Sequence, residues 1–277
     1  MRHHDPEVRV VVVAYGDPKH LRRCLSSLGA PSGAVVVVDN GLSEEARAVV
    51  ADAGADYVAP QRNLGYAGGV NLGLGRVAPP ADVLLLNPDA ELSWADVLRL
   101  QAALRVDIGL AAVAPRLRRP DGSSEPASWP VPSPRQVWGD ALGLSPRMSG
   151  PRFLTGAVLL LRAEAVAAVG PFDEDFFLYA EEADWQYRAL RAGWRVAVVD
   201  NVMALHLGGA TSSSATVRSE HFHRSARLFA RKWYGPTGAL IMRAASLAAA
   251  LRRTLTGGRS GRAEALATVR TYLRRAA

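Results

Sequence analysis

Hydrophobic and polar positions change period several times along this chain, and each change predicts an element. Residues 8–14 are an almost unbroken β-branched run, the pattern of a parallel strand covered on both faces. The turn Tyr15-Gly16-Asp17-Pro18 separates it from residues 19–28, where Leu21, Cys24, Leu25 and Leu28 share one helical face. Residues 35–38 repeat the strand pattern and stop at Asp39-Asn40-Gly41, after which Ser43 is placed to cap a helix through Ala51. Residues 57–59 read as a weaker strand, 83–86 as a strand ending in Asn87-Pro88-Asp89, and 94–104 as a helix. Residues 111–115 read as a short edge strand. An apolar strand through Leu161 and a short helix through Val169 follow Phe153-Leu154-Thr155-Gly156. Residues 180–192 suit a helix stopped by Gly193, and 195–199 form one more strand.

This order predicts an α/β chain with a mostly parallel, Rossmann-like sheet flanked by helices. One stretch breaks the pattern. Residues 118–151 are rich in Pro, Ser and Gly, with Trp129 and Trp138 embedded, and so long an irregular segment is assigned to acceptor binding. The α/β domain is expected to span residues 1–214, with 215–277 as a helical extension.

Composition adds the size and the charge. A chain of 277 residues that is 49% hydrophobic can bury a substantial core. It contains no run of about 18 apolar residues and no apolar region at its N-terminus, which predicts a cytoplasmic chain. Cys24, the single cysteine, is expected in the core. The net charge of +7 is uneven: from Arg218 onward thirteen basic residues face two acids, a net +11, which leaves −4 for the rest. Such a distribution argues against a nucleic-acid binder and favours a tail that meets an anionic surface. Residues 221–234, 240–251 and 263–274 read as basic amphipathic helices, suited to a peripheral position on the inner face of a membrane. Packing on the domain or self-association as a homodimer is the alternative.

The candidate chemistry lies between the elements. Asp39 and Asp89 stand at the carboxyl ends of buried strands, where open α/β sheets bind ligands, although each alone is an ordinary turn residue. Between them, Gly65, Gly68 and Gly69 would let backbone approach a ligand, with Asn63 and Asn71 as polar contacts, and the set suggests a nucleotide pocket. Gly73-Leu74-Gly75-Arg76-Val77-Ala78 matches a dinucleotide fingerprint but has no strand before it and Pro79-Pro80 after it, so the match is rejected. Residues 172–188 gather carboxylates among aromatics, with Glu181, Glu182 and Asp184 in the first turn of a helix. Acids there also complement a helix dipole without any catalytic role.

The ordered set resembles the family 2 glycosyltransferases of the GT-A fold, and within them the bacterial rhamnosyltransferase-like group, over residues 8–232. It comprises Val-Val-Val-Val-Ala-Tyr, Val-Val-Asp-Asn-Gly, Asn-Leu-Gly-Tyr-Ala-Gly-Gly-Val-Asn, Leu-Leu-Leu-Asn-Pro-Asp, Leu-Thr-Gly-Ala, Phe-Asp-Glu-Asp-Phe-Phe-Leu-Tyr-Ala-Glu-Glu-Ala-Asp and His206. The resemblance implies a metal-dependent, inverting transfer of a sugar, rhamnose first, from a dTDP- or UDP-sugar to a hydroxyl. The acceptor would be a glycan, a polyprenyl-linked sugar or a small molecule. It implies donor contacts from Ala14, Tyr15, Asp39, Asn63, Gly68, Asn71, Asn87 and Asp89, with Asp39 accepting from the imide N–H of a pyrimidine base. Asp89 and His206 would hold Mn²⁺ or Mg²⁺. Glu182 would be the base, with Glu181 and Asp184 as alternatives. Asn87 and Glu182 stand where the family pattern has Asp, which keeps open a non-catalytic nucleotide-sugar-binding homologue. Transfer of another sugar, in secondary-metabolite or surface-polysaccharide assembly, is a further alternative.

Overall fold

Strand β1 (Glu7–Ala14) sits inside the sheet because valines face both ways along it. Val10 and Val12 enter a layer with α1 (Pro18–Leu28), α2 (Glu44–Asp52) and α4 (Trp94–Val106). Val11 and Val13 enter the opposite layer with α3 (Gly65–Leu74), α6 (Ala163–Val169) and α7 (Glu181–Arg191). Each valine so buried contributes about 1.5–3 kcal/mol, and the period of two commits one strand to two cores. Cys24 is fully buried in the first layer.

The computed structural model describes residues 7–144, 150–208 and 215–256. They form two units, residues 7–129 with 152–208, and residues 130–144 with 150–151 and 215–256. In the first unit β1 lies parallel to β2 (Val35–Asp39) and β4 (Ala81–Leu86), and β2 lies parallel to β3 (Asp56–Val58). Beyond β4 comes antiparallel β10 (Val158–Leu161), then β6 (Leu110–Arg118) and, parallel to it, β11 (Arg195–His206). Short β5 (Ala90–Glu91) closes on β11, and β7 (Ser124–Glu125) folds back on β6. Separately, β8 (Ser128–Pro130) pairs with β9 (Arg152–Leu154).

Two strand expectations are corrected. The segment 111–115 is no edge but the middle of β6, held between β10 and β11. Its buried Ala111, Ala112 and Ala114 carry little strand propensity by themselves, so only sheet pairing reveals the role. The strand at 195–199 continues to His206 through a register shift between Val199 and Met203, a bulge that carries polar Asp200 and Asn201.

In the second unit, part of the segment read as irregular forms α5 (Pro134–Leu142), capped where Ser133 Oγ accepts from Gln136 N at 3.1 Å. It packs with α8 (Ala215–Thr256), where Tyr234 Oη donates to Pro132 O at 3.0 Å. Helix α8 breaks at Gly235, immediately before Pro236, so 221–234 and 240–251 are its two arms. The stretch 263–274 lies outside the described residues. Among those residues no helix is long and apolar enough to cross a membrane.

Candidate active site

Three of the elements above deliver carboxylates to the ends of strands, and local hydrogen bonds decide what each can do. At the end of β2, Asp39 Oδ1 accepts from Gly41 N at 2.9 Å. Its Oδ2 accepts from Ser43 N at 2.8 Å and Tyr57 Oη at 2.9 Å. A carboxylate oxygen offers two lone pairs, so Oδ1 keeps one for another donor. A Cβ on Gly41 would stand 3.2 Å from that oxygen, so glycine here keeps a side chain off Oδ1. Asn40 then stitches this loop to α3, donating to Gly65 O at 2.8 Å and accepting from Leu64 N at 3.2 Å. Ala14 O accepts from Asn40 N at 2.9 Å, Tyr15 is exposed, and exposed Asn63 accepts from Gly65 N at 2.8 Å.

The glycines of α3 each leave out a side chain that a neighbour would meet. The approach that Gly69 permits is to the sheet, where a Cβ would meet Val13 Cγ1 at 2.6 Å; at Gly68 it would meet Leu64 Cβ at 2.8 Å. Gly69 serves helix packing, because buried backbone must come close to the sheet where side chains already fill the layer, whereas Gly68 makes room for Leu64 at the start of its own helix. Gly65 has φ 74° and leaves no room for a Cβ against Phe177, whose carbonyl accepts from Tyr66 N at 2.7 Å. Asn71 is turned the same way: its amide donates to Phe172 O at 2.8 Å and Glu174 Oε1 at 2.9 Å, and accepts from Phe172 N at 2.8 Å. Helix α3 is thereby fastened to the segment that precedes α7.

That segment ends in two consecutive left-handed residues, Tyr179 (φ 69°) and Ala180 (φ 68°). Side chains pay about 1–3 kcal/mol each in such conformations, so strain sits at the point where α7 starts. Contacts further along the helix hold it in place. Trp185 stacks on Phe172 with centroids 5.7 Å apart, and Gln186 bonds both Leu154 N and Leu154 O, at 2.7 and 2.8 Å. Asp184 is fully buried against Arg188 at 3.1 Å, which also donates to Val169 O and Pro171 O, so this carboxylate acts as a staple.

Glu181 and Glu182 are different, since each has a buried Oε2 with no hydrogen-bond partner. Glu181 is almost wholly buried, whereas Glu182 is partly accessible and packs over Gly156. Burial pushes both carboxyls up, and for Glu181 the neighbouring Glu182 charge pushes further, so the pair resists carrying two charges. Backbone N–H groups of Glu182 and Ala183 at the helix start oppose the rise at Glu182. Tyr66, a residue the sequence reading passed over, donates to Gly156 O at 3.3 Å. Burial first, then the facing Glu181, Glu182 and Asp89 carboxylates, hold its phenol protonated. Its aromatic place in Asn-Leu-Gly-Tyr-Ala was the available signal.

The last carboxylate, Asp89, meets His206 through the sheet. Asn87 N donates to Ala157 O at 2.9 Å, Ala90 pairs with His206, and Leu207 N donates to Asp89 O at 3.0 Å. His206 Nε2 consequently lies 3.5 Å from Asp89 Oδ1, while Nδ1 lies 3.0 Å from Glu125 Oε2. Burial disfavours charge on this ring, but the Asp89 and Glu125 carboxylates outweigh it and raise its pKa. Asp89 Oδ1 is buried and accepts no hydrogen bond. Among the described residues no cluster of three His, Cys, Asp or Glu could hold a metal by itself. An orphaned carboxylate oxygen beside an imidazole nitrogen nonetheless fits a divalent cation whose other ligands come from a phosphate group.

Residues 6–235 match the model of the family described as glycosyltransferase like family 2. The chain is 30% identical over 238 residues to N-acetylglucosaminyl-diphospho-decaprenol L-rhamnosyltransferase of Mycobacterium tuberculosis, covering 71% of this chain and 75% of that one. In fold it is similar to the mannosyltransferase of Pyrobaculum calidifontis solved with GDP-Man and Mn²⁺, at TM-score 0.57 and 16% identity over 98% of this chain and 86% of that one. It is also similar to residues 1–349 of TarS from S. aureus solved with UDP-GlcNAc, at TM-score 0.56 and 18% identity over 92% and 74%. The sheet order, the convergence of Asp89 with His206 and the family match agree: this chain belongs to the family 2 glycosyltransferases, rhamnosyltransferase-like enzymes of the GT-A fold that use nucleotide-sugar donors.

Proposed function

We propose that this enzyme is a metal-dependent, inverting rhamnosyltransferase that takes its sugar from dTDP- or UDP-rhamnose and gives it to a hydroxyl of a polyprenyl-diphosphate-linked sugar. The observation that carries this reading is the approach of Asp89 Oδ1, which accepts no hydrogen bond, to His206 at the same site as two glutamates that each keep one orphaned oxygen. The name of the 30% identical mycobacterial relative supports the sugar and the acceptor class. The remaining lone pair of Asp39 Oδ1 would accept the imide N–H of thymine or uracil.

Glu182 is the base. Its carboxylate, on a partly exposed residue and with a pKa raised by burial, suits removal of a proton from the acceptor hydroxyl near neutral pH. Burial raises Glu181 beside it as well, so the pair resists carrying two charges, and the protonated Tyr66 phenol stands against the same carboxylates. Asp89 and His206 would hold Mn²⁺ or Mg²⁺, which when bound neutralises charge on the departing diphosphate. The left-handed turn at Tyr179 and Ala180 sets the angle at which Glu182 leaves the helix.

A polyprenyl acceptor lies at a membrane, and α8 offers a matching surface. Leu240, Ala244 and Leu251 are exposed at helical spacing, with exposed Arg231 and Lys232 nearby. No acid occurs between Glu220 and Glu264, so self-association through this helix would set like charges together, whereas anionic lipid accepts both features.

The test is a thermal-stabilisation and donor-hydrolysis screen of nucleotide sugars with and without Mn²⁺, on the native enzyme and on Asp89→Asn. Stabilisation by dTDP- or UDP-sugars that needs Mn²⁺ and vanishes in the variant is expected. Metal-independent hydrolysis, or a preference for GDP-sugars, would overturn the reading.

A further inference from the structure

We infer that Glu125 is a positioning residue for His206, fixing the ring so that Nε2 faces Asp89. Glu125 lies in the segment 118–130, far from His206 in sequence and in none of the motifs. It reaches the site through the sheet. A turn in which Asp121 Oδ1 accepts from Ser123 N at 2.9 Å, and Arg119 N donates to Ser123 O at 2.8 Å, returns the chain along β6 as β7. Glu125 pairs with Leu117, Leu117 with Ala204 of β11, and His206 with Ala90 of β5. Glu125 and His206 are therefore set by ladders rather than by loop contacts, and their 3.0 Å separation follows from strand register.

The chemistry follows from this geometry. An imidazole whose Nδ1–H donates to a carboxylate must, when neutral, carry its lone pair on Nε2. That nitrogen is the one 3.5 Å from the unpartnered Asp89 Oδ1. Both side chains are largely enclosed, at 10% exposure for His206 and 18% for Glu125, so water is a poor substitute for the carboxylate. A carboxylate behind a metal-binding histidine fixes its tautomer and raises its basicity, and losing one weakens metal affinity by about 10–100-fold. The inference rests on the reading of His206 as a ligand, but its structural half does not.

Two measurements separate the halves. The ¹⁵N–¹H ring correlations of His206, assigned by their loss in His206→Ala and recorded at alkaline pH once the ring's own titration is complete, should show the proton on Nδ1 in the native enzyme. In Glu125→Ala the signal should move toward the Nε2–H form, and the isosteric Glu125→Gln, whose amide oxygen still accepts, should restore Nδ1–H. Mn²⁺ affinity in the presence of UDP, followed by electron paramagnetic resonance, should fall about 10–100-fold in Glu125→Ala and recover partly in Glu125→Gln. A native ring protonated on Nε2, or an Ala variant with unchanged tautomer and Mn²⁺ affinity, would overturn the inference. If native enzyme with UDP binds no Mn²⁺ while the tautomer behaves as stated, the ligand reading of His206 fails and the positioning of the ring by Glu125 stands.

Discussion

Replacing either buried glutamate by glutamine separates stability from catalysis at this site. Glu181 and Glu182 each keep one buried oxygen without a hydrogen bond, and burial raises both carboxyl pKa values above the unfolded value of 4.5. For a carboxyl raised in this way the folded state binds protons more tightly than the unfolded state, so stability falls as pH rises above about 4.5, and the full penalty is present above the folded pKa. Removing the charge removes the penalty. Glu181→Gln should stabilise the protein at pH 7, by about 1–2 kcal/mol given what an unsatisfied buried polar group costs and the amide orphan that stays behind. The gain should vanish below about pH 4.5, where the native carboxyl is already neutral in both states. Glu182→Gln should follow the same curve while losing transfer about 10²–10⁴-fold, about 3–5 kcal/mol of barrier, the loss expected of the proposed general base. Glu181→Gln should keep transfer within about tenfold. Urea-unfolding midpoints from pH 4 to 8, with transfer rates on the same preparations, give both readouts. A Glu181→Gln protein less stable than native at pH 7, or a gain that does not change with pH, would refute the electrostatic argument; a larger loss of turnover in Glu181→Gln than in Glu182→Gln would reverse the assignment of the base.

Other outcomes follow from packing and from surface chemistry. Gly69→Ala places a methyl against Val13, so the urea midpoint should drop by the equivalent of about 1–3 kcal/mol, and a native-like midpoint would show that α3 can shift off the sheet. The double variant Leu240→Glu and Leu251→Glu alters exposed positions only and should abolish flotation with phosphatidylglycerol vesicles while leaving the fold intact. Native enzyme that stays unbound to such vesicles would remove the membrane surface from the proposal.

Much of this architecture was legible in the chain because period-two valine runs and capped helices are local signals. The strands at 8–14, 35–38 and 83–86 and the helix cap at Ser43 needed no partner to be recognised. The interior position of β6 was hidden, since its alanines are weak strand formers that pairing with β10 and β11 overrides. The bulge at Val199 and Met203 likewise concealed the last turn of β11, and with it the route by which His206 reaches Asp89. Residue types in the site were readable too. Whether a carboxylate is spent or available was not: Asp184 and Glu182 look alike in sequence, yet one is paired with Arg188 and the other has an orphaned oxygen.

The sequence by itself determined the elements, their order, the charged tail and the set of acids at strand ends, because each depends on neighbours within a few residues. Only the tertiary structure decided which of those acids keep a free lone pair, that Asn71 fastens the segment before α7, that Tyr66 faces Glu181, Glu182 and Asp89, and that Glu125 meets His206. Those outcomes depend on hydrogen bonds and strand registers that join residues about 80 to 100 positions apart, and no local pattern carries information about partners so distant.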